Sequence, residues 1–530
     1  MSTHSLPTRP DLRQLRQQAK SLAKSFAARD GEALKKLREF HPRFANARPE
    51  QLAGLKLSDA QLVIARQYGF DSWPALKRHV EANAFERLTP EQQTAAFIKA
   101  ACGRGYDNPS DGNWAEALSY LAISPGVSEA TPETACAAGN AAALAEFLKK
   151  NRDLARQKIG PRKWEPLLYV AFSVMHRAGG EHADGLLKCA RLLLDNGADP
   201  NCFYENEYKF PALYATIGVT RNLPLAEVLL QAGANPNDGQ SLYHAAEHFD
   251  INVLDLLSRH GLEAKDVSYC LFHKLDFRRH EDGVRWFLEH GADPNTRHPA
   301  QNETPLHWAI KRGCSRHVLE MLLERGADVN ARTASGLTYS PAIRGYTPLD
   351  IALRTGQRDA IDLLQQRGAT SSAQNDVDQF VIACACADAT AAARLKAHNP
   401  AMLKSLTKED AALIAILAQI DNTAGAKLML DMGFDPLAAG GWGDVTALEW
   451  AACRGNPELV KALLRKLKSP EYRELWGKAL WQAIRQQWNP KGNYVDTVKL
   501  LLDAGAPVQA GLFPTGKPEI DALASVRQGA

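Results

Sequence analysis

The sequence predicts an all-α protein: a long array of paired helices preceded by a small helical bundle. Three observations carry this. A segment that opens Thr-Pro-Leu, passes through small residues into paired leucines and closes on Gly-Ala-Asp-x-Asn recurs along the chain. Such self-similarity marks an architecture in which each unit buries its apolar face only against its neighbours. Near the N-terminus the repeat is absent, and apolar residues follow the three-to-four spacing of amphipathic helices. At 530 residues the chain exceeds what one ordinary core organises, which suits an extended array.

Taken in order, residues 1–87 read as a basic N-terminal helical module. Leu12, Leu15, Ala19, Leu22 and Phe26 form one apolar stripe, and "DGEALKKLREFHP" suggests a second helix. Ser58 is the expected cap of a third helix that closes at Gly69. Ser72 caps a fourth, with Pro74 in its first turn. Residues 88–130 read as a linker and a degenerate first repeat. Residues 131–510 carry the array. Its clearest units are "TPLHWAIKRGCSRHVLEMLLERGADVN" from Thr304, "TPLDIALRTGQRDAIDLLQQRGA" from Thr347 and "TALEWAACRGNPELVKALLRKL" from Thr446. The endings "LLDNGADPN", "LLQAGANPN" and "FLEHGADPN" close earlier units. Weaker starts near Thr131, Glu165, Pro211, Ser241, Val267, Asp376, Lys408 and Glu474 bring the total to about 11–12. Insertions at 175–185, 331–346 and 486–496 are expected as surface loops. Residues 511–530 read as a C-terminal tail.

Each recurring letter has a physical reason. Thr caps a helix, and Pro in the first turn lacks only an N–H that would have no partner there. Ala309 and Ala352 allow close approach of the first helix to its neighbour, while Leu322 and Leu323 face the adjacent second helix. Gly326 ends that helix in the left-handed conformation. In this order of parts, most of residues 110–510 resembles the ankyrin repeat. The resemblance implies an ankyrin-repeat solenoid of helix-pair units, some degenerate, that contacts partners through turn tips and variable positions of the first helices. The string "LSDAQLVIARQYGFDSWPALKRHVEA" resembles an N-terminal helical segment of many bacterial ankyrin-repeat proteins. That resemblance implies a bacterial source and no particular activity.

Composition narrows the class. Hydrophobic residues are 45% and charged residues 23%, ordinary for a soluble globular chain. No apolar run approaches the roughly 18 residues of a membrane span. The start "MSTHSLPTRP" lacks the apolar core of a secretory signal. Nine cysteines without a CxxC pair suggest a reducing compartment, hence the cytoplasm. The net charge of +3 is uneven: residues 1–85 hold 15 Lys and Arg against 8 Asp and Glu, leaving 48 against 52 for the rest.

Several motifs bear on chemistry. Residues 244–248, His-Ala-Ala-Glu-His, fit H-x-x-E-H, in which two histidines one turn apart hold zinc. Aligned on the repeat, however, His244 stands over His307 and is the unit's own structural histidine. "GLFPTGKP" matches a P-loop through Lys517 but places Pro518 where Ser or Thr would bind magnesium. Cys384 and Cys386 lie two apart on a helical stretch, too divergent to chelate one ion easily. His176 and His182 fall in an insertion. No catalytic residue, metal or cofactor is assigned.

The informative constellation is the expected concave face. Trp308, Lys311, Arg312, Arg354, Trp450, Arg454 and Arg485 occupy variable first-helix positions, with His248 and Phe249 equivalent in an earlier unit. Exposed Trp and Arg anchor interfaces, and a basic aromatic groove would favour an acidic peptide or protein segment; the alternative is that Trp308 and Trp450 fill the core between repeats and the arginines only solubilise the groove. The expected function is therefore non-catalytic protein–protein interaction, as a scaffold or regulator. An enzyme site built in the groove by inserted loops is the alternative. Nucleic-acid binding by Lys20, Lys24, Lys35, Lys36 and Arg38 is a further alternative, set against a merely solvated charged face. No membrane partner is expected.

Overall fold

The computed structural model describes residues 5–7, 10–45, 55–103, 112–247, 250–276, 281–335, 341–372, 374–441, 443, 445–487, 489–509 and 511–528. The chain divides into two compact units, 1–244 and 245–530. Both are built almost wholly of helices. The strands among the described residues form two short hairpins.

The first unit opens with helices Leu12–Ala27, Gly31–Phe40, Leu57–Gln67 and Trp73–Glu86. The apolar stripe of the first helix does what its spacing requires: Leu15 and Ala19 pack with Ile64, Ala65, Leu76 and Val80. Phe26 packs with Leu37, Phe40, Phe44 and Val63. Ser72 Oγ accepts from Ala75 N, as a cap should. Ser58 is not a cap. It lies inside Leu57–Gln67, which starts one residue earlier, and Asp59 Oδ2 reaches back to accept from Lys56 N at 2.7 Å. The segment expected as a linker contains a regular helix, Pro90–Cys102, capped by Thr89. Phe85 and Tyr120 stack at 4.0 Å.

Helix pairs follow. In the first unit these are Pro132–Ala138 with Ala141–Lys150, Pro166–Ala171 with Gly180–Asp195, and Ala212–Tyr214 with Leu223–Gln231. The division between the units falls in the short helix Ser241–Glu247. In the second unit, Ile251–Arg259 precedes Ala264–Asp276 with Glu281–Glu289, Pro305–Lys311 with Arg316–Glu324, Pro348–Thr355 with Arg358–Gln366 and Asp376–Ala385 with Ala389–His398. Lys408–Gln419 with Thr423–Met432, Ala447–Cys453 with Pro457–Lys466 and Arg473–Arg485 with Tyr494–Ala504 complete the series. Within each unit, first helices pack against first helices and second against second, so the core runs along the array.

The repeat letters act as their chemistry dictates. Thr347, Thr407 and Thr446 cap first helices, and the acid three residues on returns the bond: Asp350, Asp410 and Glu449 each accept from the Thr N–H at 2.9–3.0 Å. The closing asparagines tie successive turns together. Asn295 Nδ2 donates to Gly326 O at 2.8 Å while its Oδ1 accepts from Asp328 N at 2.7 Å. Asn330 does the same with Gly368 O and Thr370 N, and Asn201 with Gly233 O and Asn235 N. Gly326 takes φ +88°, the left-handed value expected of it.

Two expected surface loops prove more ordered. Residues 175–185 contain most of a 3-10 turn, Val174–Ala178, and the start of Gly180–Asp195; Met175 is fully buried. Residues 331–346 contain an antiparallel hairpin in which Thr333 pairs with Tyr346 and Ser335 with Pro341. Among the described residues, no helix is long and apolar enough to cross a membrane.

Candidate interaction face of the second unit

The residues expected to line an open groove are mostly inside. Trp308, Lys311, Arg312, Arg354, Trp450 and Arg454 are all buried, at 3–8% exposure. This corrects the expectation of exposed aromatic and cationic contacts. Arg485 is exposed, with a guanidinium nitrogen donating to Gly511 O at 2.8 Å. His248 and Phe249 lie outside the described residues.

The reason for the burial is internal pairing. Trp308 Nε1 and Arg312 Nε both donate to Asp276 Oδ1, at 2.7 and 2.5 Å, and the guanidinium lies 4.9 Å from the Trp308 ring. Asp276 ends the preceding first helix, so this triplet links two pairs. Lys311 Nζ pairs with Glu303, itself fully buried. Burial pushes the Glu303 carboxyl up and the Lys311 ammonium down, each opposed by the other's charge. Arg354 bridges two later first helices: it donates to Asp378 Oδ1 at 2.7 Å and to Asp410 Oδ1. Trp450 Nε1 donates to Gly440 O at 2.9 Å and Arg454 Nε to Gln419 O at 2.5 Å. In these three units an arginine at the end of the first helix thus fastens that helix to a neighbour. Gln357 and Asn422 add amide bonds to Ile310 O, Thr355 O and Ala385 O.

His307 is the structural histidine of its unit. Its Nδ1 accepts from Thr304 N and its Nε2 donates to Tyr346 O at 3.2 Å. Burial holds its pKa down at about 4. His244 differs: it is half-buried against Tyr214, with ring centroids 4.8 Å apart. Among the described residues, no group of three His, Cys, Asp or Glu side chains is placed to hold a metal ion. His182 and His176 each donate from Nδ1 to a backbone carbonyl, of Ala138 and Ser173. The P-loop-like turn is filled from within: Asp521 accepts from Thr515 N at 2.6 Å and Gly516 N at 3.2 Å, where a phosphate would sit. Lys20, Lys24, Lys35, Lys36 and Arg38 are all exposed.

Sequence reasoning missed the acids. Asp350, Asp378 and Asp410 each stand three residues after a Thr or Asn cap, in "TPLD", "NDVD" and "TKED". That spacing announces a capping box; it does not announce that the second carboxylate oxygen of Asp378 and Asp410 takes Arg354. It also missed a shallow cleft lined by Tyr346, Asp350, Arg354, Ser372, Gln374 and Asp378, with Ile382 as its apolar wall. On the first helix Ala264–Asp276, Tyr269 is 38% exposed and stacks on His298 at 5.9 Å.

Residues 242–333 and 275–375 match the family model of ankyrin repeats (3 copies). These residues are similar to ankyrin repeats. ARF GTPase-activating protein Git of Drosophila melanogaster is 52% identical over 94 residues, 18% of this chain and 13% of that protein. NF-kappa-B inhibitor cactus of Drosophila melanogaster is 33% identical over 99 residues, 19% of this chain and 18% of that protein. The chain spans less than half the length of the curated relatives it matches. The ankyrin repeat domain of Bcl-3, a solved structure, aligns over 43% of this chain and 95% of its own with TM-score 0.33 and 21% identity.

Proposed function

We propose that this chain is a non-catalytic ankyrin-repeat scaffold or regulator that binds a segment of another protein on the first-helix face of its second unit. The observation that carries this reading is the pinning of successive first helices by Asp276–Arg312 and by Asp378–Arg354–Asp410. Pinned helices present a fixed face, and a preorganised face loses little entropy on binding. Exposed Tyr269, Gln374 and Arg485 are the partner contacts in this reading, in place of the buried six. Cactus, an inhibitor of NF-kappa-B by its name, acts on another protein, and that supports a protein partner here.

An acidic partner segment suits the end of the array, where Arg485 is free of carboxylates among the described residues. It does not suit the middle, where acids outnumber Arg354. Residues 1–87 serve in this reading as a separate module, 88–130 as an entry to the array, 131–510 as the binding array and 511–530 as a tail. The string at 57–82 supports a bacterial source, and nine cysteines without a CxxC pair support a cytoplasmic setting. The test is face-specific photo-crosslinking in native extract. A crosslinker at Tyr269 should trap a discrete protein, and one at exposed Glu289, on a second helix, should not. Equal trapping at both positions, or trapping at Glu289 alone, would refute the reading.

A further inference from the structure

The helix Leu12–Ala27 gives only one side to the core. Leu15, Ala19 and Phe26 are buried there, with Leu12 and Leu22 packed beside them. The opposite side carries Arg13, Arg16, Lys20 and Lys24, all exposed. At 3.6 residues per turn these four fall within about 80° of arc, in one row roughly 16 Å long. Residues 12–29 hold five cations and no acid. The carboxylates at either end are engaged as caps: Asp11 accepts from Arg13 N at 2.7 Å and Asp30 from Ala33 N at 2.8 Å. Among the described residues, none of the four cations pairs with a carboxylate. The next helix, Gly31–Phe40, differs. Its exposed Lys35, Lys36 and Arg38 are interleaved with exposed Glu32 and Glu39, three charges against two.

Such a row is held against its own repulsion. A polyanion laid along it relieves that repulsion and releases counterions. The rest of the face identifies the polyanion. Gln14, Gln17 and Ser21 share the exposed side, and their donors are of the kind that phosphate oxygens accept. A protein interface would need an apolar or aromatic anchor. Among the described residues of 1–87, Leu57 is the one large hydrophobic side chain that is exposed, and it lies on another helix. Insertion into a bilayer needs such an anchor too. A single nucleic-acid strand is held by stacking on aromatic rings, and Phe26, Phe40 and Phe44 of this region are buried. Protein–DNA contacts, by contrast, are polar and strongly positive. The B-form major groove, about 12 Å wide, admits a helix, whereas the A-form groove of duplex RNA is closed to side chains.

We propose that the row Arg13, Arg16, Lys20 and Lys24 binds duplex DNA through its phosphates, without reading sequence. The inference is independent of the protein-binding reading above, which concerns the second unit.

The test is fluorescence anisotropy of the full chain with a labelled DNA duplex of about 20 base pairs, repeated across salt concentrations. Four phosphate contacts give log K against log salt a slope of about −3.6, a loss of roughly 100-fold between about 50 and 200 mM salt. Arg16→Gln with Lys20→Gln, two exposed changes that leave the core untouched, should flatten the slope to about −1.8 and weaken binding more than about tenfold at the lower salt. Lys461→Gln with Arg465→Gln, on the exposed side of Pro457–Lys466 in the second unit, removes the same charge and should change neither. Should the first pair disturb the circular dichroism, Arg13→Gln with Lys24→Gln makes the same comparison. Equal loss from both regions overturns the proposal, because net charge rather than the row would then hold the DNA. So does a slope that no pair alters, or an absence of binding at the lower salt. Tighter binding of a duplex RNA or single strand of the same sequence, of polyglutamate or of phosphatidylserine vesicles overturns it as well. None of these outcomes bears on trapping at Tyr269.

Discussion

Removing the ammonium of Lys311 should cost far more than removing the whole Glu303–Lys311 pair. Glu303 is 0% exposed and Lys311 3%, and Glu303 Oε2 has no hydrogen-bond donor. Burial drives both groups towards their neutral forms, so the pair is held against a desolvation penalty. Lys311→Met leaves a buried carboxylate without its cation, and breaking such a pair costs about 3–5 kcal/mol. Glu303→Leu with Lys311→Met removes both charges and fills the space with apolar atoms, which is expected to be neutral or stabilising by about 1–4 kcal/mol. A cycle of wild type, both single variants and the double variant isolates the coupling. Repeat arrays need not unfold in one step, so amide exchange of residues 306–311 should accompany urea unfolding. The reasoning fails if Lys311→Met costs under about 1 kcal/mol, or if the double variant costs as much as the two singles together.

Two further outcomes follow from the same geometry. The His307 pKa near 4 lies below the unfolded value near 6.5, so the unfolded chain binds the extra proton first and stability falls as pH drops through that window. The loss amounts to about 3 kcal/mol by pH 4, and His307 should titrate by NMR near 4; a midpoint near 6.5 would refute its buried neutral role. Gly185→Ala places a Cβ 2.0 Å from the Gly139 carbonyl oxygen, where backbone meets backbone and neither side can yield cheaply. It should destabilise the first unit by about 1–3 kcal/mol in thermal unfolding, and an unchanged melt would show that the close approach is not real.

The architecture was legible because its signals are local. A Thr cap, a Pro in the first turn and a Gly taking positive φ each act within one helical turn, and the repeat multiplies them. The errors lay where a local signal competed with another. Ser58 looked like a cap because serine favours caps, but Asp59 at the third helical position offered a charged acceptor to Lys56 N and set the start two residues earlier. Residues 175–185 looked like a loop because they interrupt the repeat. Yet Gly185 is there because the next turn of helix touches the backbone of Gly139, a contact 46 positions away that no window of sequence displays.

The interaction face was legible in position and not in chemistry. Arg354 was found because it ends a first helix, where such units carry variable residues. Whether a cation there is free or bound depends on what stands across from it, and Asp378 and Asp410 lie 24 and 56 residues further on. Both acids declare themselves in the sequence only as helix caps, a role that uses one oxygen and conceals the other. The consequence reaches function. A groove read as basic proves, around Arg354, to be a buried cluster with more carboxylate than guanidinium, and an acidic partner segment no longer suits it. The same count leaves the exposed Arg485 as the place that meets an acidic segment, so the middle and the end of the array should differ in what they bind.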